Sequence, residues 1–207
     1  MKKNRSHLIG IAGTTCSGKS LLAKRLMEKL KHRNPVVLST DSYYRDLSSI
    51  SPEDREKRNF DEPGAVEFEL LVNQLRMLSE GKEIHRPIYN FSTHTRESGS
   101  ILVRPSDLII VEGLFVLHWS LLRELMGTKI FVNISHDSAL QRRIARDVVE
   151  RGRSKQSVLD QFEKFVKPMT EKFVLPTLTY ADIVVNGENS MDEITRDIAN
   201  RIISASR

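Results

Sequence analysis

The sequence predicts an α/β fold, a mostly parallel sheet with helices on both faces. Three observations predict it. Short apolar runs such as Leu108 to Val111 recur along the chain, as strands buried on both faces require. Longer stretches between them repeat their apolar residues at helical spacing. A glycine-rich turn joins the first such run to the first helix. The 207 residues suit one domain with a small insert and suffice to bury a core without disulfides or structural metal. Hydrophobic residues at 39% against 29% charged exclude a disordered chain. No apolar run approaches the ~20 residues of a membrane span. The basic start Met1 to Asn4 leads into Gly10, Ala12 and Gly13, not into a signal-peptide stretch. The single cysteine, Cys16, excludes an intrachain disulfide and fits a reducing, cytoplasmic compartment.

Each element has its own warrant. His7 to Ala12 reads as the first buried strand. Ser20 to Arg33 places Leu21, Leu22, Leu26, Met27 and Leu30 on one helix face. Val36 to Leu38 is a second strand, with Thr40-Asp41-Ser42 after its end. Glu67 to Glu80 reads as a helix through Phe68, Leu71, Val72, Leu75 and Leu78, stopped by Gly81. Two extended pieces, Ile84 to Phe91 and Ser100 to Val103, flank a polar bend and suggest a hairpin insert over about 84–103. Leu108 to Val111, Ile130 to Ile134 and Ile183 to Val185 complete the strands. Asp137 to Glu150 is a helix, and Val158 to Val174 another, interrupted or kinked at Pro168. The last helix opens with Ser190 and Glu193 at capping-box spacing and buries Ile194, Ile198 and Ile202.

The glycine-rich turn carries chemistry. Gly13-Thr14-Thr15-Cys16-Ser17-Gly18-Lys19-Ser20 satisfies every fixed position of G-x-x-x-x-G-K-[ST], directly after a strand and opening a helix. Such a loop turns backbone N–H groups onto phosphate oxygens, aided by the positive helix start. Lys19 then reaches the β- and γ-phosphates of ATP, Ser20 ligates Mg²⁺, and Leu21 continues the nucleotide-contacting turn. Cys16, inside this loop, is expected to confer weak sensitivity to thiol alkylation or simply to be a tolerated residue. Glu112, delivered by the strand Leu108 to Val111, either orients Mg²⁺ or is an ordinary strand-end acid. Asp41 follows the second strand on the same sheet edge. It either receives a proton from an attacking hydroxyl or caps a turn.

Net charge is +5, and Arg142, Arg143, Arg146, Arg151, Arg153 and Lys155 crowd one stretch. Arginines in a mobile lid over about 143–157 neutralise a transferring phosphoryl group; the rival is a nucleic-acid patch. Beside the phosphate loop, the lid is the better reading. Arg142 and Lys155 read as solvated. The six histidines show no metal-ligand spacing.

The chain resembles the uridine kinase (uridine–cytidine kinase) family of P-loop nucleoside kinases over almost its whole length. The resemblance rests on Gly13 to Ser20, Asp41 to Tyr44, Asn59 to Pro63, Pro87 to Arg96, Ile110 to Gly113, Arg142-Arg143, Arg146-Asp147, Glu150 to Arg153, Phe165 to Pro168, Leu175 to Thr177 and Tyr180 to Asp182. Tyr89-x-Phe91-x-x-His94 with Glu150-Arg-Gly-Arg153 is its most specific part. The resemblance implies a P-loop kinase fold and ATP- and Mg²⁺-dependent phosphorylation of the 5′-hydroxyl of uridine or cytidine. It implies that Asp41, with Lys19 and Arg146, is catalytic, and that Asp61 and Arg143 hold the ribose hydroxyls. Tyr89 and His94 would read the pyrimidine edge, with Tyr44, Phe60 and Phe91 around the ring, and Arg151, Arg153 and Gln161 closing over substrate. It further implies a homo-oligomer, commonly a tetramer. Nucleic acid and membrane are not expected partners. Related kinases for nicotinamide riboside or phosphoribulose share the loop but not the Tyr-x-Phe-x-x-His segment. The chain departs from the family at Asn90, at Asn133 to Ala139, where Ala139 replaces a common arginine, and at Asn186 to Asn189.

Overall fold

The computed structural model describes residues 6–205, so the basic start Met1 to Asn4 lies outside the described residues. The chain opens with β1 (His7–Gly13), α1 (Lys19–Lys29) and β2 (Val36–Ser39), followed by a 3-10 turn, Thr40–Tyr43. Next come α2 (Pro52–Glu56), α3 (Phe68–Ser79), β3 (Ile84–Asn90), β4 (Thr95–Val103), β5 (Leu108–Glu112) and α4 (Ser120–Leu125). The second half holds β6 (Thr128–Asn133), α5 (His136–Arg151), α6 (Lys155–Gln161), α7 (Lys167–Met169), β7 (Ile183–Asn186) and α8 (Met191–Ala205).

Five strands form one parallel sheet in the order β2-β5-β1-β6-β7, and β3-β4 form a separate antiparallel pair. Strand alternation divides the apolar residues between two cores. Leu8, Ala12, Ile109, Val111 and Phe131 join Leu71, Leu75 and Leu78 of α3 in one. Ile9, Ile11, Leu108, Ile110, Ile130 and Val132 join Leu22 and Leu26 of α1 and Ile198 and Ile202 of α8 in the other. Each fully buried Leu or Ile contributes about 1.5–3 kcal/mol, which is why central strands with apolar residues on both faces stay pinned. The register sets Glu112 beside both Ile11 and Ser39, and Gly13 beside Val132. The C-terminal ends of β1, β2 and β5 therefore meet at one edge, the edge at which open parallel sheets bind ligands.

The departures from expectation have physical causes. The first helix ends at Lys29 rather than Arg33, and a 3-10 turn over Lys31–Arg33 closes on Asn34 at φ 48°. The interruption expected at Pro168 takes the form of π-helical turns at Phe162–Val166 and Thr170–Val174, which flank α7. A wider turn accommodates the missing N–H and the bulk of the ring. β4 starts at Thr95, earlier than Ser100; its middle faces solvent and so lacks the apolar alternation that would reveal a strand. The turn Thr40–Tyr43, α2 and α4 leave no mark in the sequence because four to six residues carry no readable period.

The three departures from the family are absorbed locally. Ala139 packs with Ile134, Phe162 and Val166 in a small third core, where an arginine would be crowded. Asn90 supplies an oxygen to the N–H groups of Ser92 and Thr93, at 2.9 and 3.2 Å, closing the bend of the hairpin. Asn186 accepts likewise from the Glu188 N–H. The Glu188 carboxylate in turn takes hydrogen bonds from Ser135, whose hydroxyl caps α5.

Candidate active site

The loop Gly13 to Ser20 crosses from β1 to α1 above this edge. Gly13, at φ 144°, lies so close to β6 that a Cβ would stand 2.0 Å from the Val132 carbonyl. Only glycine lets the loop leave the sheet there. The loop is pressed from the other side by Gly187, whose Cβ would sit 2.2 Å from the Ser17 carbonyl. Arg142 is exposed but not merely solvated: its guanidinium donates to the carbonyls of Cys16 (3.3 Å) and Gly187 (3.1 Å) and so ties the two loops. Lys155, by contrast, stands exposed at the start of α6.

Lys19 is buried and donates to the Thr14 carbonyl at 2.7 Å. Burial lowers its pKa, opposed by the nearby carboxylates of Glu112 and Asp41. Ser20 donates to Glu112 Oε2 at 3.1 Å, so two oxygens stand side by side at the helix start. The Ser17 and Thr14 hydroxyls are buried without hydrogen-bond partners, polar groups that a phosphate would satisfy.

Asp41 lies beside Glu112 because β2 pairs with β5 and because Gly113 leaves room for Thr40. The turn is capped by Ser39, whose hydroxyl accepts the Asp41 N–H at 3.3 Å. That leaves the Asp41 carboxylate free to face the cavity. Burial, then the Glu112 charge, pushes its pKa up to about 6, against the pull of Lys19, Arg151 and Arg146.

One cavity of about 350 Å³ joins this edge to the hairpin. From Thr15 through Leu21, with Asp41 and Glu112, the phosphate side lines it; Tyr44, Phe60, Asp61, Tyr89, Phe91 and His94 form the far wall, and Arg142, Arg143, Arg146, Arg151, Arg153 and Gln161 close it. Of the sequence candidates only Gly13 and Thr14 stand outside its lining. The Phe60 and His94 rings stack 4.4 Å apart at 16°, while Tyr44, Tyr89 and Phe91 meet edge-on or tilted within 6.4 Å. His94 holds φ at 55°, a left-handed conformation rare outside glycine. Burial and the Arg153 charge lower its pKa, which favours the neutral ring. Tyr89 has a buried hydroxyl with no partner, and burial pushes its pKa up to about 12. Arg143 reaches Asp61 at 3.6 Å, and Gln161 accepts from Arg143 and Arg153.

Sequence reading passed over Asp147 as a site residue. Its carboxylate is fully buried and pairs with Arg143, Arg146, Arg151 and Arg153. Four arginines within eleven positions around one acid were the available signal. Among the described residues no group of three or more His, Cys, Asp or Glu could hold a metal, and no helix is long and apolar enough to cross a membrane.

The profile of the Phosphoribulokinase / Uridine kinase family matches residues 8–193. The chain is 45% identical over 192 residues to a uridine kinase of Ligilactobacillus salivarius (strain UCC118), covering 92% of this chain and 90% of that protein. It is 44% identical over 188 residues to a uridine kinase of Cronobacter sakazakii (strain ATCC BAA-894), covering 89% and 88%. Its fold is similar to that of phosphoribulokinase from Rhodobacter spheroides, with TM-score 0.68 at 16% identity over 89% of this chain and 71% of that one. It is similar also to D-glycerate 3-kinase from Cryptococcus neoformans, with TM-score 0.64 at 15% identity over 90% and 88%.

Proposed function

Because this chain belongs to the phosphoribulokinase / uridine kinase family, we propose that it transfers the γ-phosphate of ATP to the 5′-hydroxyl of uridine and cytidine in pyrimidine salvage. The observation that carries the reading is the Asp41 carboxylate, set in one cavity between the phosphate loop and a wall of aromatic rings. A flat, weakly polar base suits such a wall, with the Tyr89 hydroxyl and His94 ring as polar tips. Asp61 and Arg143 bind the ribose hydroxyls, which brings the 5′-hydroxyl toward Asp41.

Asp41 takes the hydroxyl proton. With a pKa near 6 it is mostly ionised at neutral pH yet basic enough to accept. Lys19 and the backbone of Thr15 to Ser20 hold the triphosphate, and Arg146, Arg151 and Arg153 neutralise charge on the moving phosphoryl group. The Ser20–Glu112 pair fits Mg²⁺: it supplies two hard oxygens and leaves the remaining positions to phosphate and water. Mg²⁺, when bound, screens the β- and γ-phosphate charge. The arginines point inward onto Asp147 and Gln161 rather than outward as a stripe, which supports a small-molecule site over a nucleic-acid one. A homo-oligomer and a cytoplasmic location are part of the same reading.

The test is labelled ATP with Mg²⁺ against uridine, cytidine, nicotinamide riboside and ribulose 5-phosphate. Turnover of uridine is expected. Transfer only to a non-pyrimidine acceptor, or hydrolysis stimulated only by a polymer, overturns the reading.

A further inference from the structure

We propose that Asp147 is a positioning residue for phosphoryl transfer: its carboxylate, hidden behind the site, gathers the arginines that face the phosphates. The inference rests on the phosphoryl-transfer reading above. Arg143, Arg146, Arg151 and Arg153 all line the cavity; Asp147 does not and has no exposed surface. Arg146 is held most tightly, with both Nε and a terminal nitrogen 2.8 Å from Oδ1. Arg151 approaches the same oxygen at 3.6 Å, while Arg143 and Arg153 stand 3.6 Å from Oδ2.

The backbone of this residue does related work. The Asp147 carbonyl accepts the N–H groups of Gly152 and, at 3.1 Å, Arg153. Gly152, at φ 63°, ends α5 there and sends Arg153 back toward the cavity. Two guanidinium groups come from the body of α5 and two from its end and the turn beyond. One carboxylate gives them a common centre.

Asp147, together with Asp61 beside Arg143, sets two negative charges against four positive ones, so the cluster still attracts an anion. Asp147 therefore has two opposed effects on a bound triphosphate. Its charge repels the phosphates, and its geometry aims the arginines at them. Oδ2 accepts no hydrogen bond and Arg143 Nε donates none, so those two groups are gathered by charge without being locked. If charge alone mattered, Asp147→Asn would tighten ATP binding. If positioning matters, like-charged arginines splay apart and ATP binding weakens. The sign separates the two.

The experiment is steady-state kinetics on uridine with varied ATP for the wild type, Asp147→Asn and Asp147→Glu, with thermal melts and MgATP affinity for each. For Asp147→Asn a fall in kcat of about 10²-fold, the size of an ångström-scale misplacement, and a rise of about tenfold in the KM for ATP are expected. Asp147→Glu keeps the charge and should recover part of the KM but not full kcat. A kcat within threefold of wild type in Asp147→Asn, or a lower ATP KM at unchanged kcat, overturns the proposal. If Asp147→Asn does not fold, Asp147→Glu decides: a tenfold loss of kcat at wild-type melting supports positioning, and kcat within threefold overturns it. Failure of both variants to fold makes the residue structural and also overturns it. If the wild type does not turn over uridine, the functional reading fails on its own, and MgATP affinity still decides the role of Asp147.

Discussion

Asp41 is placed at a cost to the folded state, and Asp41→Asn should recover it. The carboxylate has an ordinary pKa of 3.8 and one of about 6 in the folded protein, raised by burial and then by Glu112. A raised carboxylate pKa favours folding most below 3.8, where both states are protonated, and that benefit is lost as pH rises through about 6. At 1.36 kcal/mol per tenfold step in proton affinity, the ceiling is about 3 kcal/mol. Asp41 keeps partial solvent contact, so roughly half of that, about 1.5 kcal/mol, is the working value. The amide has nearly the same shape, and the Ser39 cap uses the backbone N–H of residue 41, so no packing is lost. Without nucleotide at pH 7.5, Asp41→Asn should melt about 3–6 °C above wild type at this chain length, with the gap closing toward pH 4. The same variant should lose orders of magnitude in kcat while binding ATP almost as before. Circular-dichroism melts across pH 4–8 measure the first effect. A variant that melts at or below wild type at pH 7.5, or whose gain does not vary with pH, refutes the reasoning.

His94→Ala removes the ring stacked on Phe60 and should lower kcat/KM for uridine about 10–100-fold with the KM for ATP within twofold, read from two substrate titrations. Gly13→Ala forces a Cβ against the Val132 carbonyl and should destabilise the fold by at least about 2 kcal/mol, measured by urea unfolding; wild-type stability would disprove the close approach of β1 and β6. Cys16 lines the cavity within the phosphate loop and is partly exposed, so maleimide labelling should reduce activity and MgATP should slow the labelling; full activity after complete modification contradicts that placement.

What the sequence made legible follows the strength of the local signal. The loop Gly13 to Ser20 was readable because fixed glycines and a lysine have few other uses between a strand and a helix. The parallel strands were readable because burial on both faces demands unbroken apolar runs, and Leu108 to Val111 has one. Asp41 stayed divided between cap and base because both roles use the same residue type. The structure gives the cap to Ser39 and so takes that role from the Asp41 side chain, through a contact two residues away that composition does not disclose. Asp147 is easily misread for the opposite reason. An acid inside an arginine-rich helix looks like one more i,i+4 surface pair; only tertiary placement turns it into the buried centre of four ion pairs.

The hairpin shows why the acceptor side is harder to read than the phosphate side, and why the two act together. Arg96 of β4 pairs with Glu67 at 2.6 Å and donates to the carbonyls of Tyr44 and Tyr43, at 3.0 and 3.3 Å. Arg86 of β3 holds the Ser42 hydroxyl, and the Glu67 N–H returns a bond to the Tyr43 carbonyl at 2.8 Å. The turn that carries Asp41 is thus gripped by both strands of the insert that carries Tyr89, and by the residue that opens α3. The phosphate loop draws its geometry from one continuous stretch of backbone, so a motif describes it. The turn that carries Asp41 is capped locally by Ser39, but it is also held by the side chains of Arg86 and Arg96, more than forty residues away, so no local pattern describes it fully. A shift of the hairpin relative to the sheet changes the acceptor wall and the aim of the carboxylate at once, because the same arginines hold both. Under the proposed function, selection of the acceptor and alignment of its hydroxyl are one mechanical problem.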